Sequence, residues 1–143
     1  MKILICGYGF VGKAHALALS SGNNEIHIYE IHIYDPAYDI YKERLMNPDA
    51  VIICVSTPPH ENGKCNINNV YDSIANVEDD NVPILIKSTI SLEGWRFLLQ
   101  EFPNKKITFS PEYLRAIHAY EDFKNQKIVY LGGGDNIDRK SVV

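Results

Sequence analysis

Short apolar runs alternate along the chain with stretches of helical spacing. Six runs read as strands: 2–6, one within 25–34, 50–55, 82–87, 106–109 and 127–131. Ile52-Ile53-Cys54-Val55 and Ile84-Leu85-Ile86 are apolar at consecutive positions. A strand covered by helices on both faces needs that pattern, so these two belong in the middle of a parallel sheet. Helical spacing covers 10–21, ending near Gly22, then 66–77 and 92–102, and 40–46 has room for one short helix. Pro48, Pro83 and Pro103 fall in the connections. The alternation predicts an α/β fold built on a doubly wound, mostly parallel sheet of about six strands.

One irregularity stands out: Glu25-Ile26-His27-Ile28-Tyr29 is followed at once by an identical copy, Glu30-Ile31-His32-Ile33-Tyr34. A copy of odd length reverses the face of every side chain in a period-two strand. One copy is therefore expected to form the strand and the other to lengthen the connection, and the sequence does not distinguish them.

Composition narrows the function classes. The 143 residues are 45% hydrophobic and 22% charged, enough for one compact domain over 1–143 with its own core. A net charge of −4 and a pI near 5.7 supply no basic field for DNA or RNA. The apolar run at residues 3–6 is too short for a signal core or a membrane span, and the odd count of three cysteines fits a reducing compartment. Both point to a cytoplasmic protein without membrane contact. None of the five histidines has a partner at ligand spacing, so no metal site is expected.

Gly7-Tyr8-Gly9-Phe10-Val11-Gly12 is G-x-G-x-x-G lying between a predicted strand and a predicted helix. The first glycine permits the tight turn, the second lets backbone approach a pyrophosphate, and the third lets helix and strand pack. Amides at the helix start then face the phosphates. A dinucleotide site also needs a carboxylate at the end of the second strand to hold the adenosine ribose. Asp35 is favoured, because Asp35-Pro36 reads as a strand end; Glu30 is the other candidate. An acid there favours NAD over NADP.

Further along, the chain resembles the nucleotide-sugar 6-dehydrogenases, the UDP-glucose/GDP-mannose dehydrogenase family, in five ordered places. Residues 2–12 look like the family's opening strand and glycine turn. Cys54-Val55-Ser56-Thr57-Pro58 resembles V-x-T-P, and Lys87-Ser88-Thr89-Ile90 resembles K-S-T-V. Ser110-Pro111-Glu112-Tyr113-Leu114 resembles N-P-E-F-L, and 119–123 the A-x-x-D-F stretch before a closing strand within 128–133. The resemblance implies a Rossmann-like NAD-binding domain. It also implies an oxidation of a UDP- or GDP-sugar C6 alcohol to a carboxylate with two NAD.

On the same resemblance, Thr57 and Glu112 are the expected catalytic residues, Thr57 beside the nicotinamide and Glu112 as acid-base group. Gly7, Gly9, Phe10, Val11, Gly12, Ser56, Thr57, Ser88 and Thr89, with Asp35 or Glu30, would hold NAD, and Tyr113 and Leu114 would lie near the sugar. Simpler readings stand beside these: a hydroxyl satisfying backbone for Thr57, and a first-turn acid facing a helix dipole for Glu112.

The family continues past this point into a sugar-nucleotide domain carrying its lysine, asparagine and nucleophilic cysteine. None of Cys6, Cys54 or Cys65 stands in the corresponding G-G-x-C motif. Ala116 and Ile117 replace the usual Glu-Gly, and 35–50 is too short for another strand before Val51. That shortening leaves the 25–34 strand as a sheet edge, which invites a homodimer. The expected function is a cofactor-binding half, acting on a nucleotide-sugar only when another chain completes it. Two alternatives are a non-catalytic Rossmann-type assembly module and a short-chain reductase using Tyr120 and Lys124, which stand at Y-x-x-x-K spacing.

Overall fold

The computed structural model describes residues 1–22 and 29–133. Six strands form one sheet in the order β2-β1-β3-β4-β5-β6. They are β1 (Lys2–Cys6), β2 (Glu30–Tyr34), β3 (Ala50–Ile53), β4 (Ile84–Ile86), β5 (Ile107–Phe109) and β6 (Gly132–Gly133). The first five are parallel, and β6 runs antiparallel to β5. Four helices connect them: α1 (Phe10–Ser21), α2 (Asn68–Ala75), α3 (Leu92–Glu101) and α4 (Ala119–Asn125).

Because β1 and β3 are covered on both sides, neighbouring side chains in one strand enter different cores. Leu4 and Cys6 join Val51, Ile53, Ile84, Ile86 and Ile107 beneath Val70 and Ile74 of α2 and Leu98 of α3. Ile3 and Ile5 face the other way and pack with Ile52 and Ala16 of α1. The consecutive apolar residues of β3 reflect this two-sided burial, while Leu85 of β4 is only half-buried on the far face; both strands are central as expected. On the α1 side, α4 adds a second layer through Phe123, whose ring lies 4.4 Å from that of His15.

Two expectations need correction, and one stretch left without an element gains one. Residues 127–131 do not form a strand: Ile128, Val129 and Tyr130 are exposed, and ladder pairing with β5 starts only at Gly132. The short helix expected over 40–46 is a single 3-10 turn at Asp39–Tyr41. The A-x-x-D-F stretch is itself helical, as α4. Of the duplicated pentapeptides, the second copy is β2, paired in register from Lys2 opposite Glu30 to Cys6 opposite Tyr34. The first copy lies outside the described residues except for Tyr29.

The strand order places the chemistry. The chain leaves β1 outward to β2, then crosses back to β3 on the other side of β1. Connections therefore diverge above the carboxyl ends of β1 and β3, and a crevice opens there, where ligands bind in doubly wound sheets. Among the described residues, no helix is long and apolar enough to cross a membrane.

Candidate functional site

A cleft of about 730 Å³ occupies that crevice. Backbone hydrogen bonds beyond the strand ends shape its floor. Gly7 N–H donates to Tyr34 O (2.8 Å), Cys54 N–H to Cys6 O (2.7 Å) and Lys87 N–H to Ile53 O (2.8 Å).

Each glycine of the turn meets a different demand. Gly7 has φ +90°, and a Cβ there would lie 2.6 Å from Cys54 O. A Cβ on Gly12 would lie 2.0 Å from Gly7 O. Gly12 is accordingly buried beneath the turn and does not line the cleft; it lets α1 start close against β1. Gly9 is the opposite case, because a Cβ there would meet nothing within 4 Å. It is the N-cap of α1 and lines the cleft with Phe10 and Val11. No side chain caps this helix and no acid lies in its first turn. The amides of residues 10–12 therefore lack intrahelical acceptors and suit an anion.

Asp35 stands beside the turn, at the end of β2. Its Oδ2 accepts from Tyr8 N–H at 2.7 Å and its Oδ1 from Ala37 N–H at 3.0 Å. Each oxygen retains a second lone pair, so the carboxylate is oriented and can still accept from a ribose hydroxyl. Glu30 is at the wrong end. It pairs with Lys2 where β2 begins, and its Oε1 lies 2.7 Å from His32 Nε2, so it cannot serve the cleft. Open space at Gly9, uncapped amides and an oriented acid together fit a dinucleotide.

Past the turn, the cleft runs over Ser56, Thr57, Ser88 and Thr89. Their hydroxyls also knit loops together: Thr57 Oγ1–H donates to Thr89 O (2.8 Å), and Ser88 Oγ–H to Val55 O (2.8 Å). The simpler reading of Thr57 is thus realised, while its oxygen remains an acceptor at the cleft wall. Leu114 lines the cleft, but Tyr113 does not: it is 65% exposed and meets Tyr130 edge-on. Tyr120 and Lys124 stand on α4 and neither lines the cleft, which sets the short-chain reductase reading aside.

Sequence reasoning missed the charged floor. Lys87, 5% exposed, lies with its Nζ 3.0 Å from Ser110 Oγ and 3.1 Å from Glu112 Oε2. Both ends of this ion pair line the cleft. The K-S-T-I segment drew attention to Ser88 and Thr89, yet a strand-end lysine carries no sequence mark of turning inward. Arg44 was missed too. Its Nη2 donates to Ser73 O at 2.7 Å, its guanidinium lies 5.3 Å from the centre of the Tyr34 ring, and it gives the wall beside α2 a cation. The thiols of Cys6 and Cys54 are buried, and burial raises the Cys6 pKa to about 11 and that of Cys54 further. Among the described residues, no group of three or more His, Cys, Asp or Glu could hold a metal.

Comparison with known proteins agrees with this geometry. The profile described as UDP-glucose/GDP-mannose dehydrogenase family, NAD binding domain, matches residues 36–142. A UDP-glucose 6-dehydrogenase of Rickettsia felis is 27% identical over 92% of this chain and 38% of its own length. One from Campylobacter jejuni is 27% identical over 99% of this chain and 47% of its own. The 168 aligned positions of the former exceed the 143 residues here, so that relative holds residues this chain lacks. The fold matches a ternary complex of GDP-mannose dehydrogenase from Pseudomonas aeruginosa, with a TM-score of 0.72 at 18% identity over 94% of this chain and 41% of that one. It also matches a UDP-glucose dehydrogenase from Pyrobaculum islandicum, at 0.67 and 24% over the same shares. The chain thus spans less than half the length of these curated relatives. It belongs to the UDP-glucose/GDP-mannose dehydrogenase family, as an NAD-binding domain of that family.

Proposed function

We propose that the cleft holds NAD stretched from Asp35 to Thr57, as the cofactor half of a nucleotide-sugar 6-dehydrogenase. The observation that carries the reading is the contrast among the three turn glycines: a Cβ on Gly7 or Gly12 would strike backbone, and Gly9 alone has open cleft where a Cβ would stand. A diphosphate above Gly9 would accept from the uncapped amides of α1, and Asp35 would accept from the adenosine ribose. The nicotinamide end would then rest over Ser56, Thr57, Ser88 and Thr89. Bound NAD would accept hydride from the C6 alcohol of a UDP- or GDP-sugar.

The chain's own contribution to that oxidation is Glu112, a carboxylate at the cleft floor that can exchange a proton with a hydroxyl or water. Thr57 would fix the position of that oxygen through its free lone pairs. The family's reactive cysteine has no counterpart among these 143 residues, so turnover would need the half that carries it.

Calorimetric titration with NAD tests the reading first, with one NAD per chain expected and the absence of heat overturning it. The second test measures NADH formed from UDP-glucose or GDP-mannose, with and without a chain supplying the missing half. Turnover only in the mixture is the expected result, and turnover in neither would leave a binding module.

A further inference from the structure

Glu112 Oε1 accepts from Tyr113 N–H at 3.0 Å, whereas Oε2, in a side chain only 9% exposed, has no aligned hydrogen-bond donor. Lys87 Nζ is 3.1 Å from Oε2, close enough for strong ionic attraction but out of line for a hydrogen bond. On the other side stands His15 of α1, with Nε2 4.0 Å from the same oxygen. The His15 tautomer follows from its second nitrogen. Nδ1 lies 2.9 Å from Val11 O, and a carbonyl only accepts, so Nδ1 carries the hydrogen. Burial against α4 is the chief cause holding the His15 pKa below the ordinary imidazole value, so the ring is neutral and Nε2 presents a lone pair. Two acceptors, Nε2 and Oε2, therefore face each other across a gap that a proton would fill.

We propose that His15 is a positioning residue that accepts a hydrogen bond from the protonated form of Glu112, while Lys87 pairs with the ionised form. A proton taken up by the Glu112 carboxyl from the cleft and carried on the buried Oε2 becomes an O–H aimed at Nε2. Closing the gap to about 2.8 Å completes the bond. When the proton returns to the cleft, Oε2 is again an anion beside the Lys87 ammonium. His15 keeps its Nδ1 hydrogen throughout, and no charge moves onto it. The carboxyl thus has a partner in each state and need not leave its buried position.

The groups recorded around it come from every packed element. They are His15 from α1, Lys87 after β4, Ser110 after β5, the buried Cys54 thiol after β3, and the Phe123 ring of α4. Only Lys87 is positive, which is why the protonated state needs a neutral acceptor. The inference rests on the reading of Glu112 as a proton-exchanging group, and His15 itself does not line the cleft.

The experiment follows the Glu112 carboxyl carbon by 13C NMR titration of the whole chain, its signal assigned through Glu112→Gln. His15→Phe fills the same space without an acceptor and is expected to lower the Glu112 midpoint by at least about half a pH unit. His15→Gln, whose amide oxygen can accept, is expected to restore much of it. NAD affinity should stay within about twofold in both variants. An unchanged or raised midpoint in His15→Phe, or no recovery in His15→Gln, overturns the proposal. Should His15→Phe not fold, 15N shifts of the wild-type ring decide: hydrogen on Nδ1 is required, and hydrogen on Nε2 refutes it. Lack of sugar oxidation would overturn the functional reading and leave this titration unaffected.

Discussion

Gly9 and Gly12 stand three residues apart and would fail in opposite ways. Gly12→Ala drives a methyl into Gly7 O and should cost about 3 kcal/mol of stability, read as a lowered midpoint in denaturant. Gly9→Val places its side chain in open cleft, so stability should hold within about 0.5 kcal/mol while NAD affinity falls tenfold or more, ~1.4 kcal/mol. Calorimetry beside thermal melting separates the two. Asp35→Ala should weaken NAD binding by about tenfold, whereas Glu30→Ala, at the far end of β2, should leave it unchanged. His15 gives a pH signature. Burial holds its folded pKa below the ordinary imidazole value of about 6.5, so acid protonates the unfolded chain before the folded one. Stability should fall as pH drops below about 6.5, and the pH dependence of melting should be flatter in His15→Phe on that acid side. The glycine turn and Asp35 were readable because backbone shape demands those residue types. Lys87 and His15 were not, because inward orientation of a lone charged or imidazole side chain depends on contacts from other elements.

At the scale of elements, two-sided burial made β1 and β3 plain and fixed α1 to the residue, since contiguous apolar runs and helical spacing are local signals. Run 127–131 misled for the complementary reason: apolar period says nothing about an available ladder partner, and among the described residues the outer edge of β5 pairs with Gly132 and Gly133. The duplicated pentapeptide offers a further test. Removing either copy leaves the same sequence, Asn24-Glu-Ile-His-Ile-Tyr-Asp35, and a two-residue connection after Gly22, within the range of helix-to-strand loops. The shortened chain should bind NAD within about threefold of the parent by calorimetry. A collapse of binding would show that the full-length connection is required.

For the molecule as a whole, the crossover between β2 and β3 creates both the crevice and the two separate cores. Ile53→Ala, which empties a fully buried position at the sheet centre, should cost about 3 kcal/mol in denaturant unfolding. The sequence order of strands and helices was enough to place this crevice, since right-handed crossovers leave few topologies. What lay beyond it was the pairing on the cleft floor, where Lys87 after β4 meets Ser110 and Glu112 after β5. The same layering sorts the sulfurs. Cys6 is shut inside the sheet layers and burial raises the pKa of the half-buried Cys54, so neither offers a ready thiolate, while the half-buried Cys65 donates to Thr89 O, the carbonyl that also accepts from Thr57. A maleimide dye should therefore couple once to the native chain and three times in denaturant, and the single fluorophore would sit at the rim of the nicotinamide end as a built-in reporter of occupancy.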